Sequence, residues 1–266
     1  MSHPRRSVTP RNQLVVVQDT RQVCPYLPDR VARMPLRMSV GGMTPQFVDH
    51  VLASGYRRSG RFVYRTQCPS CEACEPTRVE VAGFRWTASM RRVWNRAERE
   101  LDTRWGSPVV DGDRVRLFDR HRRDRDLGRD DGAIDADGYR GFLVDSCCRT
   151  EEWSATIDGR LIAVSTTDIG EESLSAVYTF FDPDQSRYSL GTLAVLHHMR
   201  RAIDEGYRYV YLGMYVADNP HLNYKARFRP QQRLVAGKWE DREGQPERTE
   251  GARVNRRSPG EPRGPG

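Results

Sequence analysis

The 266-residue chain is 37% hydrophobic and 30% charged, with a formal net charge of +7. That length suits one large domain or two small ones with a real core, and no apolar run approaches the ~20 residues needed to span a bilayer. Only two of the 43 basic residues, Lys225 and Lys238, are lysines; the arginine excess reads either as coding bias or as a sign of a polyanionic partner, since arginine pairs with phosphate in a bidentate fork.

Residues 1–20 are polar and predict a flexible N-terminal arm without the features of a secretory signal. Cys24 to Arg37 is rich in Pro and Arg and reads as extended or turn structure. Thr44-Pro45 opens a helix through about Ala53, with Thr44 as N-cap, Pro45 at the first helical position and Gly55 as the stop. Phe47, Val48, Val51 and Leu52 form its apolar face. Arg61–Arg65 and Thr77–Val81 read as short strands, joined by the knuckle Cys68-Pro-Ser-Cys71-Glu-Ala-Cys74. Ser89–Leu101 and Leu117–Leu127 predict charged helices, and such patterns are more often solvated faces than binding surfaces. A Gly/Asp loop spans Gly128–Gly138, and a short helix follows in GYRGFLVDS.

From Glu151 the texture changes. EEWSATI and RLIAVSTTDI flank Asp158-Gly159, a type I′ hairpin signal. A strand follows at Leu174–Phe181. Ser189–Glu205 is the clearest helix, with Leu193, Leu196, Met199 and Ile203 on one face and Gly206 at its end. Arg208–Gly213 and Arg233–Trp239 read as strands, and residues 241–266 as a disordered tail.

Five groups of residues carry chemistry. Cys24, Cys68, Cys71 and Cys74 have a spacing that suits zinc or an iron–sulfur cluster, against the alternative of inert thiols. A disulfide scaffold does not fit a chain of this length without a signal, so a reduced, cytoplasmic setting is expected. Arg57-Arg58 lies between two glycines beside an aromatic strand. The helix start Ser189, Gly191 and Thr192 offers free N–H groups and a positive dipole to a phosphate, with simple close packing at Gly191 as the plain reading. Asp168 and the acidic turn Asp182-Pro-Asp184 end strands, where aspartate usually forms turns. Asn223 to Arg229 alternates aromatic and basic residues, which suits RNA contact or an amphipathic strand.

Together CPYLPDR, GYRRSGRFVYRTQC, CEACEPTRVEV, SMRRV, DGRLIAVSTTDI, SAVYTFFDPD, SLGTLAV, YVYLGMY and YKARFRP, in that order over residues 24–235, resemble the aminoacyl-tRNA–protein transferases of the N-end rule pathway. The match is nearest to the bacterial aspartate/glutamate leucyltransferases, with arginyltransferases as the related branch. Ser173, Met214 and the region around Ala97 depart from the family pattern. The resemblance implies an α+β fold: an acyl-CoA N-acyltransferase-like C-terminal domain over residues 111–240 and a smaller cysteine-bearing α/β domain over residues 21–110. It implies aminoacyl-tRNA as donor and a protein N-terminus starting with Asp or Glu as acceptor, with no membrane partner.

The donor ester is already activated, so the enzyme must align two reactants and remove a proton from the amine. Asp168 is the candidate base, assisted by Tyr178. Arg57 and Arg58, with Arg229 in reserve, are candidates for the acceptor's acidic side chain. Ser189, Gly191, Thr192, Tyr215, Lys225 and Arg227 are candidates for the donor end of the tRNA. Three other readings stay open: an arginyltransferase with the same acceptors, an acyl-CoA-dependent N-acyltransferase, and a non-catalytic RNA-binding protein with a metal knuckle.

Overall fold

The computed structural model describes residues 12–125 and 132–242. Strand β1 (Gln13–Gln18) runs antiparallel to β4 (Leu36–Val40), from Gln13 opposite Val40 to Gln18 opposite Leu36. The expected N-terminal arm therefore contains a strand, because its Leu-Val-Val-Val run favours a pleated backbone; residues 1–11 lie outside the described part. Between these two strands β2 (Arg21–Val23) and β3 (Val31–Arg33) form a small hairpin of their own. Helix α1 (Pro45–Ala53) starts as expected, with the Thr44 hydroxyl accepting from the Phe47 N–H, and buries Val48, Val51 and Leu52. Strands β5 (Arg57–Ser59) and β6 (Phe62–Tyr64) then complete a four-stranded sheet in the order β1-β4-β6-β5.

The large sheet has eight strands. In chain order they are β7 (Glu75–Glu80), β8 (Asp102–Gly106), β9 (Thr150–Ile157), β10 (Arg160–Ile169), β11 (Ser173–Phe181), β12 (Tyr209–Tyr215), β13 (Gln231–Val235) and β14 (Lys238–Arg242). Their spatial order is β14-β13-β7-β12-β11-β10-β9-β8. Asp158 (φ 49°) and Gly159 (φ 74°) make the expected β9–β10 turn. A second such turn at Ala236 (φ 46°) and Gly237 (φ 79°) splits the single strand expected at Arg233–Trp239 into β13 and β14. Residues 21–110, expected as a separate domain, contribute β7 and β8 to this sheet, so the division at 110/111 coincides with no break in it. Of the expected tail, 241 and 242 end β14 and the rest lies outside the described residues.

Helices α2 (Ala88–Glu100), α3 (Gly112–Asp124), α4 (Ala136–Tyr139) and α5 (Leu190–Glu205) cover the sheet. The third begins earlier than expected because the Asp111 side chain accepts from the Arg114 N–H and caps it there. A π-helical turn, Arg140–Val144, extends α4. On one face Leu196 and Met199 of α5 pack on Val79, Ile169, Leu174 and Val210. On the other, Leu117 and Phe118 of α3 pack with Tyr139, Leu143, Val164 and Phe180. Leu193, Leu196 and Met199 are wholly buried, so truncating Leu196 to Ala costs about 2–5 kcal/mol. Ile203 departs from the expected face and stays 43% exposed. Asp49 of α1 ties the two sheets together: its carboxylate accepts from the Glu171 and Glu172 N–H groups and the Ser173 hydroxyl.

The β11–β12 pair is parallel, and its register covers only Ser173–Tyr209, Leu174–Val210 and Ser175–Tyr211. Beyond Ser175 the strands part, and the opening between them positions the site.

Candidate active site

A strand that loses its neighbour leaves carbonyls to be satisfied. In this opening two cations do so. Arg57 Nη2 donates to the Ala176 carbonyl of β11 at 2.7 Å, with Nη1 3.4 Å from Ser175 Oγ. Lys225 Nζ donates to the Met214 carbonyl of β12 at 2.8 Å. Gly213 lies between them with φ 90°; a Cβ built there would stand 3.0 Å from Arg57 Nη2 and 3.4 Å from Lys225 Nζ. The missing side chain is therefore a notch flanked by a guanidinium and an amine.

The local sequence explains both placements. Arg57 follows Gly55, whose φ of 83° ends α1 and turns the chain into β5, and a Cβ at Gly55 would come within 2.6 Å of Leu234. Lys225 sits in a 3₁₀ turn, Asn223–Arg227, whose backbone is held by Gln231 Nε2 on the Lys225 carbonyl at 2.5 Å. Burial, with the Arg57 charge second, pushes the Lys225 amine down to about 7. Tyr26 and Tyr64 complete the wall. The neighbouring Tyr64 phenol and burial hold the Tyr26 phenol far above its ordinary value. Asn219 Nδ2 donates to the Tyr26 carbonyl at 2.8 Å and fixes that loop.

Arg58 points the other way, as strand alternation requires. Its Nε lies 2.8 and 2.9 Å from the two oxygens of Asp168, and its Nη1 reaches the carbonyls of Gly60 at 3.1 Å and Asp145 at 3.4 Å. Thr150 Oγ1 donates to Asp168 at 2.8 Å. The Arg58 and Asp168 side chains are 2% and 4% exposed. Arg58 Nη2 is buried without a hydrogen-bond partner among the described residues.

The other sequence candidates are spread around this centre. Tyr178 sits in an aromatic layer, its ring 5.5 Å from those of Phe118 and Phe142. Tyr215 ends β12 beneath the Arg233 guanidinium, 3.3 Å from its ring centre. Arg227 is exposed, and Arg229 Nε donates to the Ala226 carbonyl at 3.2 Å. Asp182 is buried and structural, bound by Arg160 at 2.8 Å and Arg120 at 3.1 Å. At the start of α5, Ser189 has φ 49° and gives no side-chain cap. A Cβ at Gly191 would make only ordinary contacts, 3.4 Å to Phe181 and 3.9 Å to Tyr224, so close packing does not demand glycine there. Arg125, 2.5 Å from His221 Nδ1 and stacked 5.2 Å from the Phe181 ring centre, adds a cation near this helix start.

The cysteines gather without forming a ligand set. Burial first, then the charges of Cys24, Cys68 and Cys71, push the Cys74 thiol up to about 12, so the four are neighbours. Among the described residues, however, no three Cys, His, Asp or Glu side chains converge closely enough to hold an ion. Cys148 packs beside Val48, Leu52 and Tyr211, in keeping with a core role.

Sequence reasoning singled out Arg57 and Lys225 for different substrates and did not foresee that they face each other. It missed Tyr26, Tyr64, Gly213 and Arg125. The two tyrosines lie in CPYLPDR and GYRRSGRFVYR, beside cysteines and arginines that drew the attention instead.

Residues 22–92 match the family model described as "Arginine-tRNA-protein transferase, N terminus", and residues 113–235 match its C-terminal counterpart. An aspartate/glutamate leucyltransferase of Acinetobacter baumannii is 35% identical over 220 residues, covering 81% of this chain and 80% of that protein. One from Halorhodospira halophila is 34% identical over 238 residues, covering 88% of this chain and 99% of that protein. Among solved structures, the C-terminal domain of a putative lysylphosphatidylglycerol synthetase from Agrobacterium fabrum aligns with a TM-score of 0.43 and 16% identity, over 64% of this chain and 51% of that one. No helix among the described residues is long and apolar enough to cross a membrane.

Proposed function

The chain belongs to the arginine-tRNA-protein transferase family, and from that premise we propose that it moves leucine from aminoacyl-tRNA to the α-amino group of proteins beginning with Asp or Glu. It is an aminoacyltransferase. The leucyl donor and acidic acceptors follow the names of relatives that match over most of their own length. The observation that carries the reading to a site is the opening between β11 and β12, where Arg57 and Lys225 flank the Gly213 notch.

Arg57 meets the acceptor's side-chain carboxylate, with the Tyr26 and Tyr64 hydroxyls beside it. Such a charge-assisted contact is stronger than a neutral one. Asp168 neutralises Arg58, and the pair fixes β5 against β10; its two oxygens are occupied, so its part is to hold Arg58. Tyr178 stays in the aromatic layer with Phe118 and Phe142. Arg229 stays in reserve for the acceptor. The donor end of the tRNA lies along the start of α5 at Ser189, Gly191 and Thr192, with Tyr215 and Arg227 at the rim. Bringing two substrates together in one cleft supplies ~7–11 kcal/mol of the barrier, which an already activated ester needs more than it needs strong acid or base.

Transfer of labelled leucine or arginine from charged tRNA to peptides starting with Asp, Glu or Ala tests this. Incorporation from leucyl-tRNA into the first two peptides only is expected. Arginine incorporation instead would move the chain to the arginyl branch, and none from either donor would falsify the reading. Ligation of zinc or an iron–sulfur cluster by Cys24, Cys68, Cys71 and Cys74 rests on their proximity alone. Elemental analysis of anaerobically prepared protein decides it, and no step of the transfer depends on it.

A further inference from the structure

We infer that Lys225 takes the proton from the acceptor's α-amine, so that Arg57 and Lys225 together read an acidic N-terminal residue: the guanidinium its carboxylate, the lysine its amine. This rests on the aminoacyl transfer proposed above.

Three observations carry it. First, the two cations converge on one point, within 3.4 Å of a Cβ position that Gly213 leaves vacant. The amine and side-chain carboxylate of a single Asp or Glu are separated by a similar short span, so one residue can touch both. Second, the chain uses arginine almost everywhere; of its two lysines, Lys238 is exposed and Lys225 is at the site. Arginine cannot give up its proton in a protein, whereas lysine can when desolvated. Third, the groups facing Lys225 favour the neutral amine. The Arg57 charge from β5 opposes protonation. Tyr26 and Tyr64, which act on Arg57, bring no fixed negative charge; the Asp168 carboxylate also acts on Arg57, but its two oxygens are taken by Arg58 and Thr150. The Met214 carbonyl from β12 accepts one N–H. An amine lowered to about 7 is substantially neutral at pH 7.

The step balances without a further reactant. The α-amine nitrogen attacks the ester carbonyl carbon and a C–N bond forms. The carbonyl electron pair moves to oxygen, and the nitrogen's proton passes to neutral Lys225 Nζ. Collapse breaks the carbon–oxygen bond to the ribose of the tRNA, and that oxygen takes the proton back from Lys225. The products are the extended protein, the free tRNA end and neutral Lys225.

Single-turnover transfer from charged tRNA to an Asp-starting peptide between pH 5.5 and 9 tests this in wild type, Lys225→Arg and Lys225→Met, with KM for both substrates and a thermal melt of each protein. Wild type should rise with pH through Lys225 at about 7 and then through the α-amine near 8, because the step needs both nitrogens neutral. Both variants should lose about 10²–10⁴ of the rate with donor KM unchanged, and their remaining rate should rise only near pH 8 as the α-amine deprotonates itself. Near-wild-type turnover by Lys225→Arg, or a step near pH 7 that persists in it, overturns the assignment and leaves Lys225 as a fixed charge. Inactive wild type with every donor and acceptor rejects the transfer reading itself. Should Lys225→Met fail to fold, Lys225→Arg, which keeps the charge and the stem, carries the test alone.

Discussion

Arg58 Nε meets both oxygens of Asp168, at 2.8 and 2.9 Å, while its neighbour Arg57 donates to Ser175 Oγ and the Ala176 carbonyl. Two adjacent arginines thus have different tasks: one is neutralised inside the fold and the other keeps its charge at the opening.

Substitutions should separate them. Arg57→Ala should raise the KM of Asp- and Glu-starting acceptors ten- to a hundredfold, the ~1.5–3 kcal/mol of one charge-assisted contact, with the donor KM unchanged. Arg58→Ala should mainly lower the melting temperature, because breaking a buried ion pair costs about 3–5 kcal/mol. Steady-state kinetics beside thermal melts check both. Equal weakening of donor and acceptor by Arg57→Ala would make it a fold or tRNA residue.

At the start of α5, Gly191→Ala should leave stability within about 0.5 kcal/mol of wild type, since a methyl there makes only ordinary contacts. If the donor's phosphate approaches these N–H groups, the methyl stands in its way and the donor KM rises while the acceptor KM holds. A donor KM unchanged in a filter-binding or kinetic assay would return Gly191 to a plain helical position.

Much of this was legible from local signals. The Thr44 cap, the Asp158-Gly159 turn and the Gly206 stop each follow from short-range chemistry that the residues state directly. The Ala236-Gly237 turn was not, because Ala in a left-handed backbone is a weak signal beside Asp-Gly. The site was legible in its parts and illegible in its assembly. Arg57, Gly213 and Lys225 are scattered along the chain and meet only because the parallel ladder stops at Ser175. Nothing in the sequence marks where a ladder ends. The pairing of Asp168 was hidden for the same reason: its partner Arg58 lies 110 residues away.

The core of α5 should make the fold sensitive to acid. His197 lies between Trp94 and Trp153, with ring centres at 4.6 and 4.7 Å, and His198 sits 2.6 Å from both Thr167 Oγ1 and the Ala194 carbonyl. Burial lowers them to about 3 and about 4. A folded value below the unfolded one of about 6.5 means that the unfolded chain binds protons first. Stability is thus full above pH 6.5 and falls towards pH 4, by up to ~3 kcal/mol per imidazole at 1.36 kcal/mol per pH unit. Melts across this range should show the fall, and His197→Phe should flatten it. An unchanged slope in that variant would assign acid sensitivity to other groups.

Asp168→Asn separates two roles for the buried carboxylate. As the counter-ion of Arg58, its loss leaves a guanidinium buried without a partner charge, which should cost about 3–5 kcal/mol of stability. Turnover should then fall through displacement of β5, and raising the pH should not restore it. As the base read from the sequence, its loss should spare the melting temperature, lower kcat by about 10²–10⁴ and be partly rescued above pH 8, where the amine deprotonates itself. A double-mutant cycle sharpens the distinction. Replacing both members, as in Arg58→Met with Asp168→Leu, removes the uncompensated charge and should be less destabilising than either single change, because apolar replacement of a whole buried pair is often close to neutral. Additive losses in the double variant would mean that the two side chains do not act as a pair, and a stable, pH-rescued Asp168→Asn would return the proton to Asp168 and take it from Lys225.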